Sequence, residues 1–422
     1  MRKYKILVVL PFYGGSLPVG RFAARGLEQL GHIVEVFDSP LFYSAFKALK
    51  QIKIGVSNLE QLEQGFLHLV SQAIYAKVEE FAPSFVLALA QAPLTRQILA
   101  KFRQNGIPTV MWFVEDFQVF TYWRAFAPCY DFFAVIQKEP FFSSLKKIGQ
   151  NNVCYLPLAC CPEVHKPLSL NPVDKKRYGS DLSFMGAGYP NRRKVFKELV
   201  DYDFKIWGTE WEGDAILTPF VQEGGRRVSP EEIVKIFNAS KINLNLHSSV
   251  DWIEISKGDF VNPRTFEIAG CRAFQLVDER SLLSELFLPD EEIVVFSSVT
   301  ELKKQIDYFL KHPEKRQEFA HNAYIRVLAE HTYTHRMETL LDFITSKINL
   351  CSVGEDKLEI SGLPEEVRSE LELFLANLGL TLNSELEEIV LRIKEKQGEL
   401  SELEAALLFL DEWKKQYLGN KI

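Results

Sequence analysis

Residues 259–278 read DFVNPRTFEIAGCRAFQLVD, with a polar start, a helical middle and an apolar end. Pro263 suits the first turn of a helix, because the N–H group that it lacks has no partner within the helix at that position. Asn262, directly before it, can cap the same helix. The helix is predicted to run to Gly270, and the apolar run from Arg272 to Val277 predicts a buried strand. A helix that leads directly into such a strand is typical of a parallel α/β sheet.

The same alternation of apolar strands and helices extends over most of the chain, and it restarts once. In the first half, the predicted strands are Lys5–Leu10, His32–Phe37, Ser84–Ala90, Thr109–Val114, Phe132–Gln137 and Asn152–Leu158. In the second half, they are Asp181–Met185, Phe204–Trp207, Lys241–His247, Arg272–Val277 and Ile293–Phe296. Helices are predicted near 58–80, 93–104, 139–148, 191–200, 230–239, 263–270 and 300–311. Nearly continuous apolar strands separated by helices predict parallel sheets that are covered on both faces.

A stretch with four prolines, at 157, 162, 167 and 172, separates the two halves. Because proline disfavours helices and strand interiors, this stretch is expected to be a linker. The sequence therefore predicts an α/β protein of the GT-B layout, with two Rossmann-like domains, residues 1–165 and 166–349, whose facing edges form a cleft. Residues 350–422 carry 8 Lys and Arg against 16 Asp and Glu and show three helical patterns. We expect an acidic helical appendage that serves packing or assembly, through self-association or a protein partner.

The composition excludes several classes of protein. The 422 residues are 47% hydrophobic and 25% charged, which fits a folded protein. The net charge of −7 without a dense basic stripe argues against nucleic-acid binding. The apolar run after Lys5 stops at Pro11, too early for a signal core or a membrane span, and the six cysteines follow no paired spacing. We expect a cytoplasmic protein with reduced thiols.

The start of the helix described above is the first candidate site. Its free N–H groups and positive dipole end suit a diphosphate, so Asn262, Arg264 and Thr265 are predicted to bind substrate there, although Arg264 can equally be a surface residue. Glu267 lies one turn further on, where its carboxylate can accept hydrogen bonds from both hydroxyls of a ribose. Asp259 is either a catalytic carboxylate or an ordinary surface acid.

A second group of candidate residues follows the first strand of the second half. Gly186 and Gly188 let the backbone approach a ligand phosphate, and Arg192 or Arg193, on an exposed loop, is predicted to neutralise that phosphate. His247 ends another strand, and it is either a substrate-binding residue or a satisfied core histidine. Because the carboxyl ends of parallel strands meet at one edge of a sheet, all of these residues are predicted to lie near the helix start.

The first half of the chain is predicted to form the side of the cleft that binds a second substrate, the acceptor of a transferred group. Gly14 and Gly15 follow the first strand and let an acceptor or a leaving phosphate approach the backbone. Asp116, in the acidic pair with Glu115 after the fourth strand, is predicted to take a proton from an acceptor hydroxyl, unless it caps a helix. Residues 41–54 form an apolar and a basic stripe when wound as a helix. This segment either contacts a phosphorylated lipid-linked acceptor or an anionic membrane surface, or is an ordinary core-facing helix.

Four segments of the second half resemble a known family. They read SFMGAGYPNRRKVF, KIFNASKINLNLHSS, NPRTFEIAGCRAFQLVD and EHTYTHRMETLL. Together they are similar to the CgeB-like branch of the GT-B glycosyltransferases, which carry an acidic–x7–Glu motif. The resemblance runs from Phe184 to about Arg336, and over residues 1–165 it is one of fold alone. It implies that Glu267 binds the donor ribose and that Asp259 stands where the family usually has a Glu at the transferred sugar.

The resemblance implies a hexosyltransferase that moves a sugar from a nucleotide-sugar donor to a glycan, protein or lipid-linked acceptor, with retention of the anomeric configuration. No metal and no other cofactor are expected, because arginines and a helix start can stabilise the leaving diphosphate. Two alternatives remain open. One is an inactive GT-B protein that binds nucleotide sugars or protein partners, and the other is a nucleotide-sugar epimerase of the same fold.

Overall fold

The computed structural model describes residues 2–249, 255, 258–352, 365–382, 384, 386–396, 398 and 400–417. The chain divides into two compact units, Met1–Leu350 and Cys351–Ile422. The first unit contains two parallel β-sheets, one of six strands and one of five. The predicted α/β fold class with two sheets of parallel strands is therefore confirmed.

The six-stranded sheet is formed by the first 155 residues. Its strands are β1 (Lys5–Val9), β2 (Ile33–Phe37), β3 (Phe85–Leu89), β4 (Thr109–Phe113), β5 (Phe132–Val135) and β6 (Val153–Tyr155). They lie in the order β2-β1-β3-β4-β5-β6, and all of their pairings are parallel. Successive side chains of β1 enter different cores, since Ile6 and Val8 pack on one face and Leu7 and Val9 on the other. The six strands match the six predicted runs, with slightly earlier ends.

The five-stranded sheet follows the proline-containing stretch. Its strands are β7 (Ser180–Met185), β8 (Phe204–Trp207), β9 (Ser240–Asn245), β10 (Gln275–Asp278) and β11 (Val294–Phe296). They lie in the order β11-β10-β9-β7-β8, again all parallel. Strand β10 begins three residues later than predicted, because Arg272 has a φ of +53° and belongs to the turn that ends the preceding helix.

Helices cover both sheets. Those of the first half are α1 (Ser16–Gln29), α2 (Tyr43–Lys50), α3 (Val56–Phe81), α4 (Arg96–Gln104), α5 (Trp123–Phe126) and α6 (Phe141–Lys147). Those of the second half are α7 (Pro172–Tyr178), α8 (Pro190–Phe196), α9 (Pro230–Ala239), α10 (Pro263–Gly270), α11 (Val299–Lys311), α12 (Pro313–Glu330) and α13 (Tyr333–Thr345). In the part of the chain that is described, none of the helices is long and apolar enough to cross a membrane.

The prediction that residues 157–172 exclude helix is wrong at its end. Helix α7 begins at Pro172, where the side chain of Asn171 accepts a hydrogen bond from the Asp174 N–H at 2.8 Å. Proline at the first helical position leaves no hydrogen bond unmade, so it starts this helix instead of preventing it.

The basic segment 41–54 begins at the end of a 3₁₀ helix (Ser39–Phe42) and is α-helical over α2. Phe46 is buried and fills the core under the helix, which supports the interpretation as a core-facing helix. Leu41, Ile52 and Ile54 are exposed, and Lys50 lies 3.5 Å from a carboxylate oxygen of Glu63. An apolar and basic outer surface therefore remains, and contact with a membrane or a lipid-linked acceptor stays a prediction.

The described residues of the second unit form three helices, the number that the sequence predicts for the tail. They are α14 (Glu365–Asn377), α15 (Leu386–Glu395) and α16 (Glu402–Tyr417). Leu375, Leu380, Val390 and Ile393 are buried within it. The Lys396 ammonium lies 2.6 Å from Glu404 and ties the end of α15 to α16. The role of this unit in assembly stays a prediction.

The chain returns from the second half to the first half through α13. The Cys160 N–H donates to the His331 carbonyl and the Tyr333 N–H donates to the Cys160 carbonyl, both at 3.0 Å. Arg336 on α13 donates to the Pro157 carbonyl at 2.9 Å, and α13 packs along α1. One hydrophobic core therefore runs from the first sheet through α13 to α10 of the second half.

Gly26 makes the close crossing of α1 and α13 possible. A methyl group there would lie 2.8 Å from the Tyr333 carbonyl oxygen, and backbone atoms cannot move aside easily. We expect Gly26→Ala to lower the free energy of unfolding by roughly 1–3 kcal/mol, as overpacking does. The control is Gly65→Ala within α3, where a methyl group meets nothing within 4 Å, and it is expected to be neutral or stabilising by up to about 1 kcal/mol. Urea unfolding of both variants checks this, and wild-type stability of Gly26→Ala would contradict the crossing.

Candidate functional site

The start of α10 is held by buried polar groups at the carboxyl ends of β9 and β10. The Asn262 side chain caps the helix by accepting from the Thr265 N–H at 3.3 Å, as predicted. Its amide group donates to the side-chain oxygen of Asn245 at 2.8 Å, and the Asn245 amide donates to the Thr265 hydroxyl at 2.9 Å. Asn262 and Thr265 were predicted to bind substrate, yet their side chains are buried and serve this network. What α10 offers to a ligand is its backbone N–H groups.

The ring of His247 also fixes the start of α10 through a hydrogen bond. Its ring is fully buried, and its Nε2 accepts a hydrogen bond from the Asn262 N–H at 2.9 Å. The Nδ1 must then carry the ring proton, which it donates to Asp278 Oδ1 at 2.6 Å. With both nitrogens engaged, His247 cannot touch a substrate. The prediction of direct substrate contact is wrong, and the open alternative of a satisfied core histidine describes this side chain.

The charge of Asp278, the hydrogen-bond partner of His247, is balanced by Arg280. Burial lowers the pKa of His247 to about 4, although the carboxylate of Asp278 opposes this shift. Burial by itself raises the pKa of Asp278, but His247 and Arg280 outweigh it and lower that pKa to about 2. At neutral pH the pair is therefore a neutral imidazole and a carboxylate, with Arg280 as the counter-ion of Asp278.

Sequence reasoning missed Asn245 and Asp278 as parts of this arrangement. The signal was present in β9, where the polar residues Asn243, Asn245 and His247 alternate with leucines. Alternation places these three side chains on one face of the sheet, and all three are buried. Polar residues on a buried face need partners, so the pattern indicates a hydrogen-bond network below the sheet edge.

Glu267 lies one turn into α10, as predicted, with its side chain only 7% exposed. Arg264, one turn before it, forms an ion pair with its carboxylate and is itself 26% exposed. His165 was missed by sequence reasoning, and its Nε2 lies 3.9 Å from the other carboxylate oxygen. His165 Nδ1 accepts from the Cys161 N–H at 3.0 Å, and burial lowers its pKa although Glu267 opposes the shift. Glu267 is thus a carboxylate with one cationic, partly exposed partner and one neutral, buried partner.

The glycines after β7 are required by the protein's own packing. A side chain at Gly188 would collide with the Glu210 carbonyl oxygen. Gly208, with a φ of +114°, lies so close to Gly186 that a methyl group on Gly208 would be 2.5 Å from the Gly186 carbonyl oxygen. The two loops that follow β7 and β8 therefore pack backbone against backbone. Approach of a ligand phosphate to Gly186 and Gly188 stays a prediction.

The prediction that Arg192 and Arg193 lie on an exposed loop is wrong. Both belong to α8, and Arg192 is only 8% exposed. Arg192 donates to the carbonyl groups of Leu246 and Ala187, each at 2.9 Å, and burial lowers its pKa to about 10. Arg193 donates to the Gly188 carbonyl at 2.7 Å. These guanidinium groups are used on backbone carbonyls, so in this conformation they hold the loops and do not face a phosphate.

Asp259 bridges the edges of the two sheets. Its carboxylate accepts from the Gln137 side chain at 2.8 Å and from the Lys138 N–H at 3.4 Å. Gln137 follows β5 and also accepts from the Phe117 N–H at 3.0 Å. Asp259 is thus not a free surface acid, because it reaches the carboxyl edge of the six-stranded sheet. A catalytic role for it stays a prediction.

Of the acidic pair after β4, Glu115 occupies the more reactive environment. Asp116 accepts from the Gln118 N–H at 2.9 Å and forms a local turn, so it does not cap a helix as its structural alternative predicted. Glu115 accepts hydrogen bonds from the Gln91 side chain and from the Tyr122 hydroxyl, the latter at 2.9 Å. Burial raises the pKa of Glu115, although both hydrogen bonds oppose the shift. Burial, and not these contacts, therefore makes Glu115 a candidate acceptor of a proton.

Gly14 faces a residue that sequence reasoning missed. It has a φ of +106°, and a methyl group there would meet nothing within 4 Å, so the loop surface is open. Its carbonyl accepts from Arg227, in the loop before α9, at 2.9 Å. Gly15 directly precedes α1. Arg227 follows the run Glu223-Gly224-Gly225-Arg226, and this pairing of glycines with arginines is the signal that could have pointed to it.

The sequence of this chain is similar to sequences of known proteins. Residues 190–342 match the sequence model of a family described as glycosyl transferase-like. The spore protein CgeB of Bacillus subtilis (strain 168) is 25% identical over 269 residues, which are 61% of this chain and 81% of that protein. These matches confirm the resemblance to CgeB-like proteins of the glycosyltransferase type that the four sequence segments predicted.

Solved structures show the fold. Anabaena HepE in complex with UDP and glucose is 11% identical, with a TM-score of 0.57, and the match covers 82% of this chain and 100% of that one. Sucrose-phosphate synthase from Thermosynechococcus elongatus is 12% identical, with a TM-score of 0.55, over 82% of this chain and 99% of that one. The chain therefore has the GT-B fold.

The buried pair of His247 and Asp278 has a measurable consequence. The folded protein holds the His247 ring neutral down to about pH 4, whereas the unfolded chain takes up a proton near 6.5. Because the unfolded state then binds more protons, the stability falls as the pH drops from 6.5 towards 4, by about 1–3 kcal/mol for this residue.

We expect the imidazole NMR signals of His247, assigned with His247→Asn, to show no titration between pH 7.5 and pH 5. The same variant is expected to lose less stability than the wild type over that range. A midpoint at or above 6.5 would contradict a neutral, buried ring.

Proposed function

We propose that this chain, a CgeB-like protein of the GT-B glycosyltransferase type, transfers a sugar from a nucleoside diphosphate sugar to an acceptor hydroxyl. The observation that carries the proposal is the start of α10, where the positive end of the helix dipole and the buried carboxylate of Glu267 lie about one helical turn apart at the carboxyl edge of the second sheet. This edge belongs to the region that matches the glycosyl transferase-like family. Anabaena HepE, which shares the fold, was solved with UDP-glucose, and this supports a nucleotide sugar as the donor here.

The diphosphate of the donor binds the α10 N-terminus in this proposal. The positive dipole end of the helix attracts phosphate oxygens, and the Asn262 network fixes that end in place before the donor arrives. Arg264 is the partly exposed cation of the same helix, and Arg227 adds a second cation from the loop that contacts Gly14. As the bond to the anomeric carbon lengthens, negative charge builds on the diphosphate, and these groups stabilise it without a divalent metal.

Glu267 binds the two hydroxyls of the donor ribose. A carboxylate is an acceptor only and can take both hydroxyl protons at once. In the unliganded protein its partner is Arg264, the more exposed of the two side chains. We infer that Arg264 exchanges this carboxylate for a phosphate oxygen when the donor binds, which frees Glu267 for the ribose.

The acceptor hydroxyl approaches from the six-stranded sheet. Glu115 is the group that takes up its proton, because it is buried, has a raised pKa and lies at the end of β4. Asp259 contacts the neighbouring end of β5 and stands at the transferred sugar, where the acidic–x7–Glu motif puts its first acid. The same motif supports retention of the anomeric configuration.

Loss of the Glu267 carboxylate is expected to weaken donor binding. Glu267→Ala should cost roughly 1–3 kcal/mol of binding free energy, because the ribose hydroxyls lose their acceptor. A calorimetric titration with the UDP, GDP, ADP or dTDP sugar that stabilises the wild type most against heat measures this. Glu279→Ala, which removes an exposed carboxylate next to β10, is the control and should bind normally. Unchanged affinity in a folded Glu267→Ala variant would contradict the ribose assignment.

Transfer is expected to continue in the presence of excess EDTA. The stabilisation of the leaving diphosphate comes from the α10 N-terminus, Arg264 and Arg227, so chelation should leave at least half of the rate. The measurement is release of nucleoside diphosphate in the presence of acceptor, with an assay lacking acceptor as the control. Loss of release in EDTA and its recovery with Mg²⁺ or Mn²⁺ would contradict metal independence.

A further inference from the structure

The first half of the chain contains a cavity of about 910 Å³ beside the site described above. It lies between the amino-terminal half of α3, the loop after β3 and helix α5. One part of its wall is apolar and contains Leu67, Leu94, Met111, Phe126 and Tyr130, while polar side chains such as Gln64 and His68 line the rest. A volume of this size accommodates a small organic ligand of ordinary size.

The cavity adjoins the carboxylate that the proposed mechanism uses as base. Gln91 and Tyr122 form part of its wall, and the side chains of both donate hydrogen bonds to Glu115. The Gln91 N–H also donates to the Tyr122 hydroxyl at 3.0 Å, so these groups form one cluster. Glu115 itself lies behind these two side chains and does not line the cavity, so a ligand hydroxyl reaches it by taking the place of the Gln91 or Tyr122 hydrogen bond while the rest of the ligand lies against the apolar wall.

The lining decides between classes of acceptor. A free sugar carries hydroxyl groups on every side; Gln64 and His68 can bond some of them, but those placed against Leu94, Met111 and Phe126 would be left without hydrogen bonds. An aromatic ring loses nothing by the same burial, and it gains contacts with other rings and with the methionine sulfur.

We propose that this cavity binds the aromatic part of the acceptor, so that the acceptor is a phenol or an aryl alcohol whose hydroxyl meets Glu115. The inference rests on the proposed function. In the transfer step the acceptor oxygen bonds to the anomeric carbon, and its proton passes to the Glu115 carboxylate. The bond between the anomeric carbon and the diphosphate oxygen breaks, and its electron pair leaves with the nucleoside diphosphate.

The test measures binding of 2-naphthol to the full chain by calorimetry, without donor. Wild type is expected to bind 2-naphthol saturably and to show no saturable binding of glucose. Gly65 lines the cavity, and an added β-carbon there meets nothing within 4 Å, so Gly65→Trp is chosen to place a ring in the cavity. This variant is expected to bind 2-naphthol at least tenfold more weakly. Ala125→Trp fills the cavity from α5 and serves as the second variant.

Leu69→Trp is the matched control, because it places the same side chain on α3 at a position that is 60% exposed and outside the cavity wall. It should bind 2-naphthol like the wild type. The affinity for a nucleoside diphosphate, measured in parallel, should be the same in all variants. If the nucleoside diphosphate fails to bind anywhere, the proposed function is contradicted while the 2-naphthol result still stands by itself.

Three results would overturn the inference. The first is no saturable binding of 2-naphthol by the wild type. The second is equal affinity in the wild type and in both cavity-filling variants. The third is an equal loss in Leu69→Trp, since the loss would then not come from the cavity.

Discussion

The hydrogen bond between the buried ring of His247 and Asp278 is the contact on which the arrangement of the second sheet's edge depends. It joins the ends of β9 and β10, and it sets which ring nitrogen is left to accept the Asn262 N–H. Both groups are fully buried, so removing either partner would leave a polar group without compensation. The start of α10 is therefore held by a pair of residues whose hydrogen bonds are all made within the protein and do not depend on a ligand.

The polar residues around this edge divide into those that build the site and those that remain for a ligand. Arg192 and Arg193 donate hydrogen bonds to backbone carbonyls, and these bonds hold the loops after β7 and β8 together. The groups that we propose for the ligand are the N-terminus of α10, the partly exposed Arg264, which pairs with Glu267, and Arg227, which donates to the Gly14 carbonyl. A frame that is formed in advance suits the binding of a diphosphate, because few groups besides Arg264 have to change partners as charge develops.

The pattern of apolar residues was enough to predict the eleven strands, and the position of Pro263 after Asn262 was enough to predict the capped start of α10. Both are signals carried by residues that are close together in the sequence. Contacts between distant residues were not predictable in this way. The hydrogen bond from Gln137 to Asp259 spans 122 positions, and the clash that requires glycine at 188 comes from the carbonyl of Glu210. Arg192 was misplaced for the same reason. A motif gives the residue type, but whether a guanidinium turns to a ligand or to a carbonyl depends on the loops packed around it.

The most direct test of the central claim is hydrogen–deuterium exchange with a nucleoside diphosphate sugar. If the diphosphate binds the start of α10, the backbone N–H groups from Arg264 to Ile268 should exchange more slowly in its presence. The loop around Gly14 and Arg227 should be protected as well, while α3 should exchange as before. Protection confined to other segments, with α10 unchanged at saturating donor, would contradict the account.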